Sequence, residues 1–554
     1  MVLTSYITRF CATFPLLGLL ASTCRASPVP TTAARTISTP HGNVTGSLDR
    51  AVLRFTVPYA QPPVASNRFS SAREVGVWDS VDGTNLPMPC LQDGRDSSED
   101  CLYLNIYTPS GSIPRLNLPV MVWIHGGSFI DGTPNDLDEG AQWFVQSQHV
   151  VVVAVQYRLG ILGWLMGSGL SGNMGLTDVI QALEFVQSDI RSYGGDPTKV
   201  TLAGQSSGAE IVKTLLVTDN ADTLFHRAIL HSAPLDYPDQ SFITARNISS
   251  RAVADLGCTR RGLRCLREQS AQALLAEQAQ VLGLAQGGEW AHLSDFSFAE
   301  PFRVHIDGSL VTKDFRKIVA SGRPLNVPSR SLIFTTVKNE GCNAPPLTRT
   351  YSIPTPLPTA MWPAIAGGLI PTFFPSRAER IMDSSAFDPS RFSNDNDAVR
   401  EELAQLTTDF SWVCPNQQTA LNATAATGYS GKVYLAEFDV GVSMFPKGAA
   451  GGCDGGVGHQ DDLKLVFGPG TDASRSGVQN AVALEVQQRW GLFIRSGTPS
   501  NAGSAYPAWP AVALSKGDLS VLVIGADSAT GNSLLMKSQR DEICKIDGGV
   551  YTPL

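Results

Sequence analysis

Gly204-Gln205-Ser206-Ser207-Gly208 follows directly on the apolar run Val200–Ala203, and this junction limits the fold more than any other stretch of the chain. A strand that turns at once into a helix, with a serine at the apex, lifts a hydroxyl clear of the backbone. Small residues must flank the apex because the turn brings strand and helix together and strains the apical residue. A plain Gly/Ser turn is the alternative for a lone pentapeptide. The remainder of the chain decides between the two by whether it supplies a base, an acid and an oxyanion site.

Apolar, β-rich runs recur at Leu102–Tyr107, Val120–Ile124, Val150–Val155, Val200–Leu202, Ala228–Leu230, Leu332–Phe334, Val433–Ala436 and Val521–Ile524. Helical spacing lies between several of them. It is clearest over Thr177–Arg191, where Ile180, Leu183, Val186 and Ile190 share a face and Asp178 is expected in the first turn, complementing the helix dipole. Near-continuous apolar strands alternating with helices predict an α/β fold, a mostly parallel central sheet buried on both faces. The Gly/Pro-rich stretches Pro345–Pro375 and Gly441–Gly458 read as long surface loops lining a site. No internal repeat interrupts this pattern, so residues 27–554 are expected to form one domain.

The first 26 residues carry Arg9, an apolar stretch from Phe10 to Ala21, and Cys24-Arg25-Ala26 before Ser27. This pattern reads as a secretory signal peptide, and the mature chain is expected to be secreted without a transmembrane segment. The 42 Lys and Arg against 50 Asp and Glu give a net charge of −8, more negative once Arg9 and Arg25 are removed. An acidic chain of this kind is a poor nucleic-acid binder. Of ten cysteines, Cys11 and Cys24 leave with the signal segment, and an even remainder in an exported protein suggests disulfides. Asn43, Asn247 and Asn422 head N-x-S/T sequons and are candidate glycosylation sites.

A serine hydroxyl is a weak nucleophile at neutral pH and needs a histidine within reach, oriented by a carboxylate. In sheets with this elbow the chain order is nucleophile, acid, histidine. Only His459 lies C-terminal to residue 305, and it sits in the glycine-rich stretch Gly455–Asp462. The acid should follow a strand between the two. Glu340, just past the run at Leu332 and followed by Gly341, fits best, with Asp307 and Asp454 as weaker rivals. An oxyanion needs preorganised N–H donors. His125-Gly126-Gly127-Ser128-Phe129 directly follows the strand ending at Ile124, and the N–H of Ser207 begins the helix after the elbow.

With these parts assembled, the chain resembles the type-B carboxylesterase/lipase family of α/β-hydrolases, which also includes cholinesterases and sterol esterases. The resemblance rests on Ser98–Ile106, Val122–Phe129, Gln156–Gly160, Gly172–Asp178, Tyr193–Pro197, the elbow, Phe225–Ile229, Lys338–Gly341 and Gly458-His459. It implies Ser206 as acyl nucleophile, Glu340 as acid, His459 as base, and oxyanion donors at Gly127, Ser128 and Ser207. It implies a small-molecule ester substrate and no metal or other cofactor. By family position and proximity it pairs Cys90 with Cys101 and Cys258 with Cys265. For the remaining four, where three connectivities are possible, it favours Cys342 with Cys453 and Cys414 with Cys544.

Three departures from the family pattern carry expectations. Gln205 stands where most relatives have glutamate, which deletes a negative charge that would favour protonated histidine. Ser207 replaces alanine but still offers its main-chain N–H. Ser128 replaces a glycine, which is harmless if its φ is negative. The loop from Cys90 to Cys101 holds ten residues and no aromatic ring, so neither a large lid nor a choline-binding tryptophan is expected there. The implied activity is a secreted serine carboxylesterase. A triglyceride lipase or sterol esterase shares the same machinery, and a non-catalytic adhesion homologue would be expected to lack one of its members.

Overall fold

The structure, a computed structural model, describes residues 33–544 apart from 112, 114–116, 168, 171, 294–299, 344–355, 375–376, 393–396, 444–455, 502–504, 514–518, 539 and 541–542. The expected signal segment therefore lies outside the described residues. Among the described residues thirteen strands form a single sheet. They are β1 (Ala33–Thr39), β2 (Gly42–Asp49), β3 (Val52–Pro58), β4 (Ser80–Gly83), β5 (Tyr103–Pro109), β6 (Leu118–Ile124) and β7 (Val151–Val155). The second half supplies β8 (Gly195–Gln205), β9 (Arg227–His231), β10 (Ser331–Val337), β11 (Val433–Phe438), β12 (Ser520–Ile524) and β13 (Leu534–Lys537).

The spatial order is β1-β2-β3-β5-β7-β6-β8-β9-β10-β11-β12-β13, with β4 alongside β2. From β7 to β12 every neighbouring pair is parallel. Antiparallel pairs complete both edges. All eight apolar runs are strands of this sheet. Of the strands that the sequence did not announce, β1, β2, β4 and β13 are polar or short, with exposed positions that dilute the apolar signal, whereas β3 is a buried apolar strand that was missed.

The centre is buried from both sides. Along β6, Val120, Val122 and Ile124 join one apolar cluster while Met121 and Trp123 join the other. A residue on either face is therefore apolar, and alternation vanishes. Each fully buried side chain of this size contributes roughly 1.5–3 kcal/mol relative to exposure. The helix Met174–Asp189 covers the first face with Leu176, Val179, Leu183 and Val186. The helix Gly477–Ser496 covers the second with Val482, Val486, Trp490 and Phe493.

Two local expectations are corrected. Asp178 is not a first-turn dipole partner, because the helix already begins at Met174. It is fully buried and bound to Arg158 through both carboxylate oxygens, at 2.7 and 2.8 Å, so its charge is matched by a guanidinium. The stretch Pro345–Pro375 is not all loop, since Trp362–Phe373 is a helix. Pro363 sits in the first turn, where no N–H is needed, and Ala366 and Ile370 face an apolar cluster one turn apart. The glycine pair and Pro371 hide that spacing in the sequence. Of Gly441–Gly458, residues 444–455 lie outside the described residues.

Strand order changes direction around β6, and Ile124 on β6 pairs with Gly204 on β8. The oxyanion loop and the serine elbow thus leave the sheet side by side at its carboxyl edge, where ligands of open α/β sheets bind.

Candidate active site

Ser206 caps the helix Ser207–Leu215 with φ 55° and ψ −127°, a strained conformation for a serine. The pentapeptide glycines are there for space. A Cβ on Gly204 would lie 2.5 Å from the carbonyl oxygen of Gly208, and one on Gly208 would lie 2.3 Å from that of Ile124. Gly126 is equally confined, with a Cβ there meeting the Gln205 side-chain oxygen at 2.5 Å and Ser206 Cβ at 2.9 Å. The Ser206 N–H donates to the carbonyl of His231 at 3.0 Å, which ties the apex to β9.

The loop after β6 winds through positive φ at Gly127 (116°), Ser128 (52°) and Phe129 (62°). Ser128 therefore occupies the left-handed region, contrary to the condition under which its side chain would be free of strain. The loop is held in this shape by the Gly160 N–H, which donates to the Phe129 carbonyl at 2.6 Å, and by two side chains. The Phe129 N–H donates to Ser207 Oγ at 3.2 Å. The Tyr157 hydroxyl donates to the carbonyl of His125 at 2.9 Å, its ring stacked on the imidazole. The Ser207 hydroxyl, which no motif singles out, thus anchors the candidate oxyanion loop to the elbow helix. His125 itself is buried, which lowers its pKa to about 4.

Glu340 and His459 come together across the carboxyl ends of β10 and β11. His459 Nδ1 donates to Glu340 Oε2 at 2.5 Å, and the other carboxylate oxygen accepts the Val337 N–H at 2.9 Å. The two loops are stitched by Asn339, whose N–H donates to the Val457 carbonyl at 3.0 Å and whose side-chain oxygen accepts the Val457 N–H at 3.1 Å. The Gly341 N–H donates to Thr408 Oγ1 at 2.9 Å on a π-helical turn, Thr408–Val413. From the same turn Trp412 lays its ring 5.4 Å from that of His459, and its indole N–H donates to the Ser232 carbonyl. The rival acid Asp307 is turned to a local task, accepting the N–H groups of Ser309, Leu310 and Val311. Asp454 lies outside the described residues.

His459 Nε2, the ring nitrogen left without a proton when Nδ1–H serves Glu340, is met by the Gln205 side-chain nitrogen at 3.1 Å. The orientation of that amide is set from its other end, where Gln205 Oε1 accepts from Gln460 Nε2 at 3.2 Å. Gln205, Ser206, Glu340 and His459 are thus gathered at one corner, and Gln460 and Trp412 join them without a sequence signal. The arrangement offers a hydroxyl at a strained apex, an imidazole oriented by a buried carboxylate, and main-chain N–H groups from two adjoining loops. Among the described residues no cluster of His, Cys, Asp and Glu is suited to a metal ion.

The Carboxylesterase family model matches residues 33–540. The chain belongs to the carboxylesterase family. This carboxylesterase is 29% identical over 517 residues to Carboxylesterase 1F of Mus musculus, covering 87% of the present chain and 88% of that protein. It is 30% identical over 533 residues to the acetylcholinesterase of Bungarus fasciatus, covering 86% and 80%. Among solved structures it is similar to a thermophilic PNB esterase, with a TM-score of 0.72 and 25% identity over 93% of this chain and 99% of that one. The chain is a carboxylic ester hydrolase with the α/β-hydrolase fold.

In this carboxylesterase Cys90–Cys101, Cys258–Cys265 and Cys414–Cys544 are disulfides. Cys342 is also disulfide-bonded, and Cys453, its expected partner, lies outside the described residues. The Cys90–Cys101 loop is pinned rather than free. Gln92 exchanges hydrogen bonds with the main chain of Gly132 at 3.0 Å in both directions, and Arg68 grips Glu99 at 2.5 and 2.6 Å. Of the sequon asparagines, Asn43 and Asn247 are exposed, whereas Asn422 is 6% exposed within the helix Cys414–Ala425 and accepts from Gln418. A glycan at Asn422 would require that helix face to open. Among the described residues no helix is long and apolar enough to cross a membrane.

Proposed function

We propose that this carboxylesterase is exported and cleaves modest, soluble esters through an acyl-enzyme on Ser206. The observation that carries the reading is the 2.5 Å hydrogen bond from His459 to the buried Glu340, on a ring whose Nε2 meets Gln205, the residue preceding the strained Ser206. Glu340 fixes the Nδ1–H tautomer, and Nε2 takes the Ser206 proton once the Gln205 amide, 3.1 Å away, has yielded that lone pair. The serine oxygen then attacks the ester carbonyl, and the oxyanion is held by the N–H groups of Gly127, Ser128 and Ser207. His459 returns the proton to the departing alcohol. Water, deprotonated by the same nitrogen, attacks the acyl-serine, and the acid leaves as Ser206 recovers its proton.

The preference for soluble esters rests on the Cys90–Cys101 loop. It is ten residues long, lacks aromatic side chains and is held down by Gln92 and Arg68, so it has neither the length nor the freedom of a lid. Export is supported by the N-terminal apolar segment and by the disulfides, which persist in oxidising compartments. Ser206→Ala is the decisive change. Loss of p-nitrophenyl ester turnover supports the assignment, and turnover at the level of the parent protein refutes it. Activity that jumps as a substrate passes its solubility limit would instead favour the lipase reading.

A further inference from the structure

We infer that His231 is a positioning residue for this site, coupling the nucleophile to the base through a second, wholly buried histidine–aspartate pair. The inference rests on the proposed Ser206–His459–Glu340 mechanism. His231 ends β9, in register with Gln205, and its carbonyl accepts the N–H of Ser206 at 3.0 Å. Its side chain points the other way along the site. Nδ1 lies 2.8 Å from Asp462 Oδ2, and Asp462 is only three residues beyond His459 on the same loop. Both side chains have no solvent exposure.

The tautomer follows from a third residue. Trp490 Nε1 meets His231 Nε2 at 2.9 Å, and an indole nitrogen can only donate. His231 Nε2 is therefore the acceptor, the ring proton sits on Nδ1, and Nδ1–H donates to Asp462. The Thr335 hydroxyl lies at the edge of the same nitrogen, 3.4 Å away, and the Trp123 ring packs edge-on against the imidazole. Asp462 in turn starts the short helix Leu463–Val466, its carbonyl accepting the N–H groups of Leu465 and Val466.

The loop bearing His459 is thereby clamped at both ends. Asn339 of the acid loop holds it at Val457, and His231 holds it at Asp462. Because the same His231 holds the main chain of Ser206, it links nucleophile and base from the buried side, whereas Gln205 contacts His459 directly. Small misplacements of reacting groups cost large factors in rate, so the effect belongs in kcat and not in substrate binding.

The test compares purified His231→Phe, His231→Asn and Asp462→Asn with the parent protein and with Ser206→Ala, on a soluble p-nitrophenyl ester. Phenylalanine fills the space but removes the donor. Asparagine can place an N–H near the position of Nδ1. The expected result is a kcat about tenfold or more lower for His231→Phe with KM changed less than about threefold, and substantial recovery in His231→Asn. A folded His231→Phe with parental kcat, or a His231→Asn no better than it, overturns the inference. Should His231→Phe fail to fold, the isosteric Asp462→Asn decides. A kcat reduced about threefold or more at unchanged KM supports the coupling, and an unchanged kcat overturns it. Ser206→Ala separates the two readings. An active Ser206→Ala sinks the underlying mechanism, whereas an inactive one beside a fully active His231→Phe sinks only the role of His231.

Discussion

The side-chain amide of Gln205 lies 3.1 Å from His459 Nε2, the nitrogen that has to accept the proton of Ser206. An amide N–H donates to a bare Nε2, and would face a second donor if Nε2 carried a proton. A glutamate at this position would reverse the preference by accepting from the protonated ring. Gln205→Glu is therefore expected to move the acid limb of kcat/KM to higher pH. An unchanged pH–rate profile would remove Gln205 from the account of the base.

Ser207→Ala keeps the main-chain N–H at the elbow and deletes the hydroxyl that accepts from Phe129. The oxyanion loop loses one of its anchors. Because the oxyanion forms only in the transition state, kcat should fall with KM nearly constant. The drop is expected to be about three- to tenfold, less than the roughly 10²- to 10³-fold of losing a donor outright. Steady-state kinetics on two esters of different alcohols would check that the loss is independent of the leaving group.

Ser128 has φ 52°, where an L-residue is disfavoured by roughly 1–2 kcal/mol and glycine is not. Glycine also adds about 0.4–1 kcal/mol of unfolded-chain entropy, which offsets part of the gain. Ser128→Gly should thus raise the melting temperature by a degree or two while leaving kcat unchanged. A clear fall in stability would mean that the serine side chain contributes a contact worth more than the strain.

Glu300 is buried beside Glu210 on the elbow helix, with Lys213, Asp239 and Arg303 close by. Burial and then the neighbouring Glu210 push the Glu300 carboxyl well above its usual range. An acid with a raised folded-state pKa contributes stability that is fully present below the unfolded value of about 4.5. That contribution is lost as pH rises towards the folded value. The melting temperature of Glu300→Gln relative to the parent protein should accordingly rise from mildly acidic to neutral pH. Parallel curves for the two proteins would contradict the assignment.

The parts of the site that depend on backbone shape were legible in the sequence. Gly204, Gly208 and Gly126 mark places where no Cβ fits, Glu340 sits beside a glycine just past a strand, and His459 sits beside a glycine in a loop. What could not be read are contacts made between side chains brought together only by the sheet. Gln205 reaches His459 and Gln460, Trp412 reaches His459 from a π-helical turn, and Ser207 reaches Phe129. None of these leaves a local pattern. The conformation of Ser128 was hidden for a related reason, since its φ is dictated by the path of the loop over the elbow. The buried parallel strands announced themselves through unbroken apolar runs, while β1, β2 and β4, partly exposed and broken by Ser, Thr, Gly and Asp, did not.

The hydrogen bond between Glu340 and His459 joins residues 119 positions apart, and that between Gln205 and His459 joins residues 254 apart. Contacts of such length require large loops to close before any of their energy is returned. No fragment of the chain short of the assembled sheet can bring them together. Ester turnover by this protein is consequently a late and complete report on folding, recovered after secondary structure has formed and only when both halves of the chain have met.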